Sequence, residues 1–209
     1  LGLDLSMASL AHARSMADRL GGGRVDLQQA DLLALAGHRP SFHVVESVGV
    51  VHHMADPEAG MRALCSVLVR GGVLCVGVYS RAARHAVNAA RERIHAWGLE
   101  DASADSIRAA RARLLALPPN DPAAPITWSP DFHSMSGCRD LLFPAREVQF
   151  TLPMLGAALG RLPVRVLGLE PPGPAARALF ERRFPGAGAH AELGHWEVLE
   201  QENPDLFAG

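Results

Sequence analysis

The chain has 209 residues, of which 48% are hydrophobic and 20% charged, with a formal net charge of −2; this balance fits one globular domain and excludes a chiefly disordered chain. Its 20 basic residues are all Arg, and the near-neutral total gives no global attraction to nucleic acid or to an anionic membrane, so any basic site is local. Cys65, Cys75 and Cys138 form no C-x-x-C pair, which speaks against a disulfide framework or a thiolate zinc site, and no apolar run approaches the ~20 residues of a bilayer crossing; a soluble, cytoplasmic protein is expected.

In chain order, residues 1–6 read as the end of a buried strand entering a turn. Ser6 is a favourable N-cap, Leu10, Ala13, Met16, Ala17 and Leu20 share one helical face, and residues 21–23, all Gly, end that helix. Residues 24–28 form a short strand candidate, with Asp31 just past it, and residues 42–48 a stronger, β-branched one. Asp56 caps a second helix, Pro57 takes its first position, Met61, Leu64, Cys65 and Leu68 form its apolar stripe, and Gly71 and Gly72 stop it. Residues 73–78 are nearly all apolar, as in a parallel strand covered on both faces.

After Ser80 the pattern changes. Residues 82–97 and 104–117 are Arg-rich and helical, a Pro-rich loop covers 118–130, and a polar-aromatic segment covers 131–140. Residues 151–162 read as a helix broken early by Pro153, 164–169 as a strand and 175–184 as a helix. The expected organisation is a partial cofactor-binding α/β core over 1–80, a helical cap or substrate insertion over 81–150, and a C-terminal part of the core over 151–209.

Two acids carry the first chemical signal. Asp4 follows one strand, where a carboxylate can accept both hydroxyls of a nucleoside ribose or simply support the following helix N-terminus. Asp31 follows the next strand, where it can take the exocyclic amine of an adenine while Leu32 packs on the ring, or act as an ordinary loop acid. Together they point to an adenosine-containing ligand.

Residues 2–6 (GLDLS), 29–33 (QADLL), 50–53 (VVHH) and 68–72 (LVRGG), in that order and spacing, resemble the successive motifs of class I S-adenosylmethionine-dependent methyltransferases. Residues 77–80 (GVYS), 129–134 (SPDFHS) and 136–143 (SGCRDLLF) are similar to a bacterial branch often attached to tetratricopeptide repeats. The resemblance implies a Rossmann-like α/β sheet with a helical insertion after its fifth strand, and S-adenosylmethionine as cofactor. It implies that Asp4, with Leu5 beside it, binds the ribose, that Asp31 and Leu32 bind the adenine, and that Glu46, Ser47 and Val48 form the loop beneath the methionine half. The chain departs from the family pattern at His43, at Arg70 and at Pro144 and Arg146.

The resemblance also implies that the first strand with its glycine-rich loop, and the last strand, are missing from the two ends. Loss of the first strand from the middle of such a sheet leaves two rows of unpaired backbone groups, so the isolated chain is expected to be marginal and to bind cofactor weakly.

A sulfonium methyl is already electrophilic, so alignment and exclusion of water carry most of the catalysis, and a general base matters only for amine or alcohol acceptors. Candidates for that role are Tyr79, the one Tyr, at a strand edge, His133 in the polar-aromatic segment, and Glu147; Tyr79 also reads as a packed aromatic and His133 as an exposed loop His. Glu147 is expected to pair with Arg146 or Arg139, and His52 and His53 to shape a turn, with no metal site. Cys138 reads as a small buried hydrophobe. The seven Arg between 81 and 113 outnumber the nearby acids by three and read as a solvated face, with nucleic acid a minor alternative. The expected function is methyl transfer to an unidentified acceptor, a protein or a small molecule; the rivals are a non-catalytic interaction module on the same scaffold and an NAD-dependent oxidoreductase.

Overall fold

Four short strands pair in parallel, two by two. β1 (Gly2–Asp4) pairs with β2 (Leu27–Gln29), and β3 (Phe42–Val48) pairs with β4 (Leu68–Gly77). This computed structural model describes residues 1–21, 24–171 and 173–208. Parallel strands with helices between them make an α/β arrangement; among the described residues the two pairs are separate sheets. The chain divides into two units, one comprising Leu1–Gly77 with Leu162–Val164 and the other Val78–Arg161 with Arg165–Gly209.

In the first unit, helix α1 (Met7–Arg19) starts where Ser6 Oγ accepts the amide of Ser9, satisfying one of the donors that a helix N-terminus leaves open. Gly21, at φ +62°, follows it; Gly22 and Gly23, also expected to end the helix, lie outside the described residues. Helix α2 (Pro57–Ser66) starts as its sequence directs, with Asp56 Oδ1 accepting from Ala59 at 2.9 Å and Pro57 in the first turn. Its face of Met61, Ala63 and Leu64 is fully buried.

The end of α2 corrects the sequence reading. The helix stops at Ser66, and Gly71 and Gly72 lie inside β4. Phe42 pairs with Leu68 and Val44 with Val73, so His43 on β3 faces residues 69–72 on β4. The glycine doublet makes this bulge possible: Gly71 sits at φ +79°, and a Cβ on Gly72 would lie 2.9 Å from the carbonyl oxygen of His43. Strand alternation then puts Val44, Glu46 and Val48 on one face beside Val73 and Cys75 of β4, and all five are exposed.

The second unit is helical among its described residues. Helices α3 (His85–Ala96), α4 (Ala104–Leu115) and α5 (Met135–Leu142) close one core, in which Ile94, Ile107, Leu114, Phe132 and Cys138 are fully buried. Helices α6 (Leu152–Leu159), α7 (Gly173–Arg183) and α8 (Leu193–Glu202) close another around Phe180 and Trp196. Those two rings stack at 3.8 Å, and Trp196 Nε1 donates to the carbonyl of His190 at 2.9 Å, pairing the one polar atom that the burial would otherwise strand.

Several details correct or extend the expectation. Pro153 does not break its helix: it occupies the first turn of α6, capped by Thr151, where a missing N–H costs nothing. The polar-aromatic segment is a 3₁₀ turn at Pro130–His133 followed by α5, with Ser134 as the cap. Residues 164–169 form no strand, since alternating apolar residues become a strand only beside a ladder partner and none of the described residues pairs with them. Helix α8 was not anticipated; a 3₁₀ turn at Pro204–Phe207 follows it, and Gly209 lies outside the described residues.

Candidate functional site

The register of the first parallel pair brings two of the expected site residues to one edge. Asp4 ends β1 opposite Gln29, which ends β2, and Asp31 follows two residues later. Both carboxylates stand at the carboxyl end of neighbouring parallel strands, where open α/β sheets bind ligands. Each is exposed and each is held by its own loop: Asp4 Oδ1 accepts from the Ser6 amide at 2.7 Å, and Asp31 Oδ1 accepts from the Leu33 amide at 2.8 Å, capping the 3₁₀ turn Leu32–Leu35. The bonds orient the side chains without burying them. Leu5 is exposed beside Asp4 and its carbonyl accepts from Gln29 Nε2 at 2.8 Å, while Leu32 is half-buried.

Glu46, Ser47 and Val48 lie at the end of β3, paired with Cys75, Val76 and Gly77. Glu46 and Val48 are exposed, whereas Ser47 is buried and its hydroxyl makes no hydrogen bond among the described residues. A buried hydroxyl left in that state is costly. The 3₁₀ turn Val51–His53 follows, with His52 fully buried and its ring 4.3 Å from that of His53.

In the second unit two of the acid–base candidates have different surroundings. Tyr79 lines a cavity of about 340 Å³ and lies under the guanidinium of Arg84, 3.6 Å from ring centre to Cζ. His133 is exposed, with Nε2 2.9 Å from the Thr127 carbonyl oxygen and its ring edge-on to Phe132. Tyr79 is a wall of that cavity and His133 is not.

Glu147 pairs with Arg84 and Arg91, not with Arg146 or Arg139. Arg84 Nη2 donates at 2.6 Å and Arg91 Nη2 at 2.8 Å to Oε2, and Gln149 Nε2 adds a bond at 3.0 Å to Oε1. Burial pushes the Glu147 carboxyl up, but the bonds from Arg91, Arg84 and Gln149 and the charge of Arg91 outweigh it and hold the carboxyl at about 2. Gln149 is fixed in turn by reciprocal amide bonds with Asn88 at 2.7 and 3.0 Å. This cluster also revises the reading of the Arg-rich helices as a wholly solvated face: Arg84 is buried and Arg91 half-buried, because a carboxylate 56 to 63 residues away neutralises them.

Residues 1–72 match the family model described as a methyltransferase domain. The matched stretch contains Asp4, Asp31 and Glu46 to Val48, together with both parallel pairs up to the β4 bulge. Over 93 residues, 44% of this chain, the sequence is 36% identical to an uncharacterized protein of Synechococcus sp. (strain ATCC 27144 / PCC 6301 / SAUG 1402/1). The chain spans 22% of that relative's length. Among the described residues no helix is long and apolar enough to cross a membrane.

Sequence reasoning did not single out Arg84, His85 or Asp205, which line the cavity with Tyr79. His85 Nδ1 lies 3.6 Å from Asp205 Oδ1, and Ser80 Oγ donates to Glu200 Oε1 at 2.5 Å. These pairs join residues 120 apart in the chain, and no local spacing announces such a contact.

Proposed function

We propose that the chain is the catalytic part of an S-adenosylmethionine-dependent methyltransferase. One observation carries the reading: within the stretch matched to a methyltransferase domain, Asp4 and Asp31 stand at the same edge of one parallel strand pair, each loop-oriented and each exposed. A ribose and an adenine both present hydrogen-bond donors, and two fixed carboxylates are the acceptors they require. The hydroxyl of Ser47 at the end of β3 adds a buried polar group without a hydrogen-bond partner among the described residues. These residues fit the cofactor.

In this reading Asp4 holds the ribose hydroxyls, Asp31 the adenine amine with Leu32 against the ring, and residues 46–48 the methionine half. The cofactor supplies an electrophilic methyl group. The protein's own contribution is to align the acceptor and exclude water, an advantage of up to ~7–11 kcal/mol when placement is good. The two parallel pairs are read as parts of one Rossmann-like sheet, and the helical residues after Gly77 as an insertion in the chain. The acceptor is a protein or a small molecule, encountered in the cytoplasm.

Equilibrium dialysis of S-adenosylhomocysteine and of NAD against the chain tests this. We expect S-adenosylhomocysteine to be retained in preference to NAD, and Asp4→Ala and Asp31→Ala each to weaken its retention at least tenfold while leaving the circular dichroism spectrum unchanged. Equal retention of both nucleotides, or indifference to both substitutions, would refute the assignment.

A further inference from the structure

The cavity beside Tyr79 lies wholly in the second unit, outside the stretch matched to the methyltransferase domain. At about 340 Å³ it is the size of a small-molecule pocket. Val87, Ile126 and Leu141 give it apolar walls, Trp128 is an exposed wall residue, and Arg84 and Tyr79 bring the polar chemistry.

Arg84 distinguishes this cavity from a packing gap. Its side chain is 8% exposed, and a guanidinium so placed must be compensated. Compensation covers only part of it: Nε and Nη2 donate to Glu147 and the Tyr79 ring covers one flat face, while Nη1 makes no hydrogen bond among the described residues. Because Arg91 shares the same carboxylate, the cluster of two guanidiniums and one carboxylate keeps one positive charge. The side chain is therefore rigid, cationic and left with one planar edge unused. Such an edge selects an anion, and in apolar surroundings a singly charged planar one. Asp205, the acid at the same cavity, is 72% exposed, so water screens its repulsion.

We propose that this cavity binds a small carboxylic acid with an apolar body, the carboxylate on Nη1 of Arg84 and the body against Val87, Ile126 and Leu141. This goes beyond the methyl-transfer reading, and its test uses no cofactor, so the two ideas fail separately.

Isothermal titration calorimetry of the full chain with phenylacetate, phenylacetamide and phenyl phosphate decides it. We expect saturable binding of phenylacetate, at least tenfold weaker binding of the neutral amide, and phenyl phosphate weaker than phenylacetate. Arg84→Gln should remove the acid–amide difference, and Arg84→Lys should restore only part of it. No binding of phenylacetate, equal binding of acid and amide, or tighter binding of phenyl phosphate would overturn the proposal. If Arg84→Gln does not fold by circular dichroism, the three-ligand comparison on the unaltered chain decides alone.

Discussion

Arg84 and Glu147, 63 residues apart, form a two-bond ion pair, with Nε 3.3 Å from Oε1 and Nη2 2.6 Å from Oε2. Both side chains are buried, at 8% and 2% exposure, and Arg91 bonds the same two oxygens at 3.1 and 2.8 Å. Removing the carboxylate leaves the buried guanidinium of Arg84 and the half-buried one of Arg91 without their shared counter-charge. Breaking a buried pair from one side costs ~3–5 kcal/mol. Glu147→Gln is therefore expected to lose stability of that order, read as a lower urea midpoint at unchanged slope. A loss below about 1 kcal/mol would show that the cluster contributes little.

The same carboxyl predicts an acid limit. Its value in the folded protein is about 2 against an ordinary 4.5, so the folded state binds this proton less readily than the unfolded chain. The stability it contributes, about 3 kcal/mol, is complete above pH ~4.5 and is lost progressively as pH falls toward 2. Urea midpoints measured from pH 6 to pH 2 should drop through that window, and Glu147→Gln should flatten the drop.

At the β4 bulge, Gly72→Ala places a Cβ 2.9 Å from a backbone oxygen of His43, and Gly71→Ala forces a side chain onto φ +79°. The His43 oxygen cannot swing away, because it is main chain in a paired strand, and at Gly71 the strain is in the backbone itself. Each substitution should destabilise by at least ~1 kcal/mol. By contrast Gly194→Ala, with nothing near its Cβ, sits in the exposed turn of α8 and should be neutral or slightly stabilising. Thermal melts of the three variants test the ordering.

Thiol labelling should be strongly ordered. Cys75 is exposed on the open face of β4, Cys65 is half-buried and Cys138 fully buried. Burial pushes the thiols of Cys65 and Cys138 up, the latter against an opposing effect from Arg111, which lowers their thiolate fraction as well as their access. One equivalent of Ellman's reagent is expected to react quickly and to be absent in Cys75→Ser, with the third equivalent released only on unfolding.

Much of the first unit was legible as local pattern. Ser6 and Asp56 could be read as caps and Pro57 as a first-turn residue because N-terminal capping involves donors only two or three residues away. The strand over residues 42–48 was legible from its β-branched run. Asp4 and Asp31 could be picked out as strand-end acids for the same reason, since position relative to a strand end is a sequence property. The misread elements share a different cause. Gly71 and Gly72 suit a helix stop and a bulge equally, and only pairing with β3 selects the bulge. Residues 164–169 have strand composition but no ladder partner among the described residues, and α8 shows too sparse an apolar spacing to stand out before Trp196 meets Phe180.

By itself, then, the amino-acid sequence determined the near-neutral charge, the capped helices, the run over residues 42–48 and the two acids that follow strands, all set by interactions within a few residues. Tertiary structure alone decided which Arg side chains leave water, what Glu147 bonds, and which walls enclose the cavity at Arg84. The physical reason is range. Capping and periodicity are short-range preferences of the chain, whereas neutralising a buried guanidinium needs a carboxylate brought from 63 residues away, and that distance closes only when the helical cores pack.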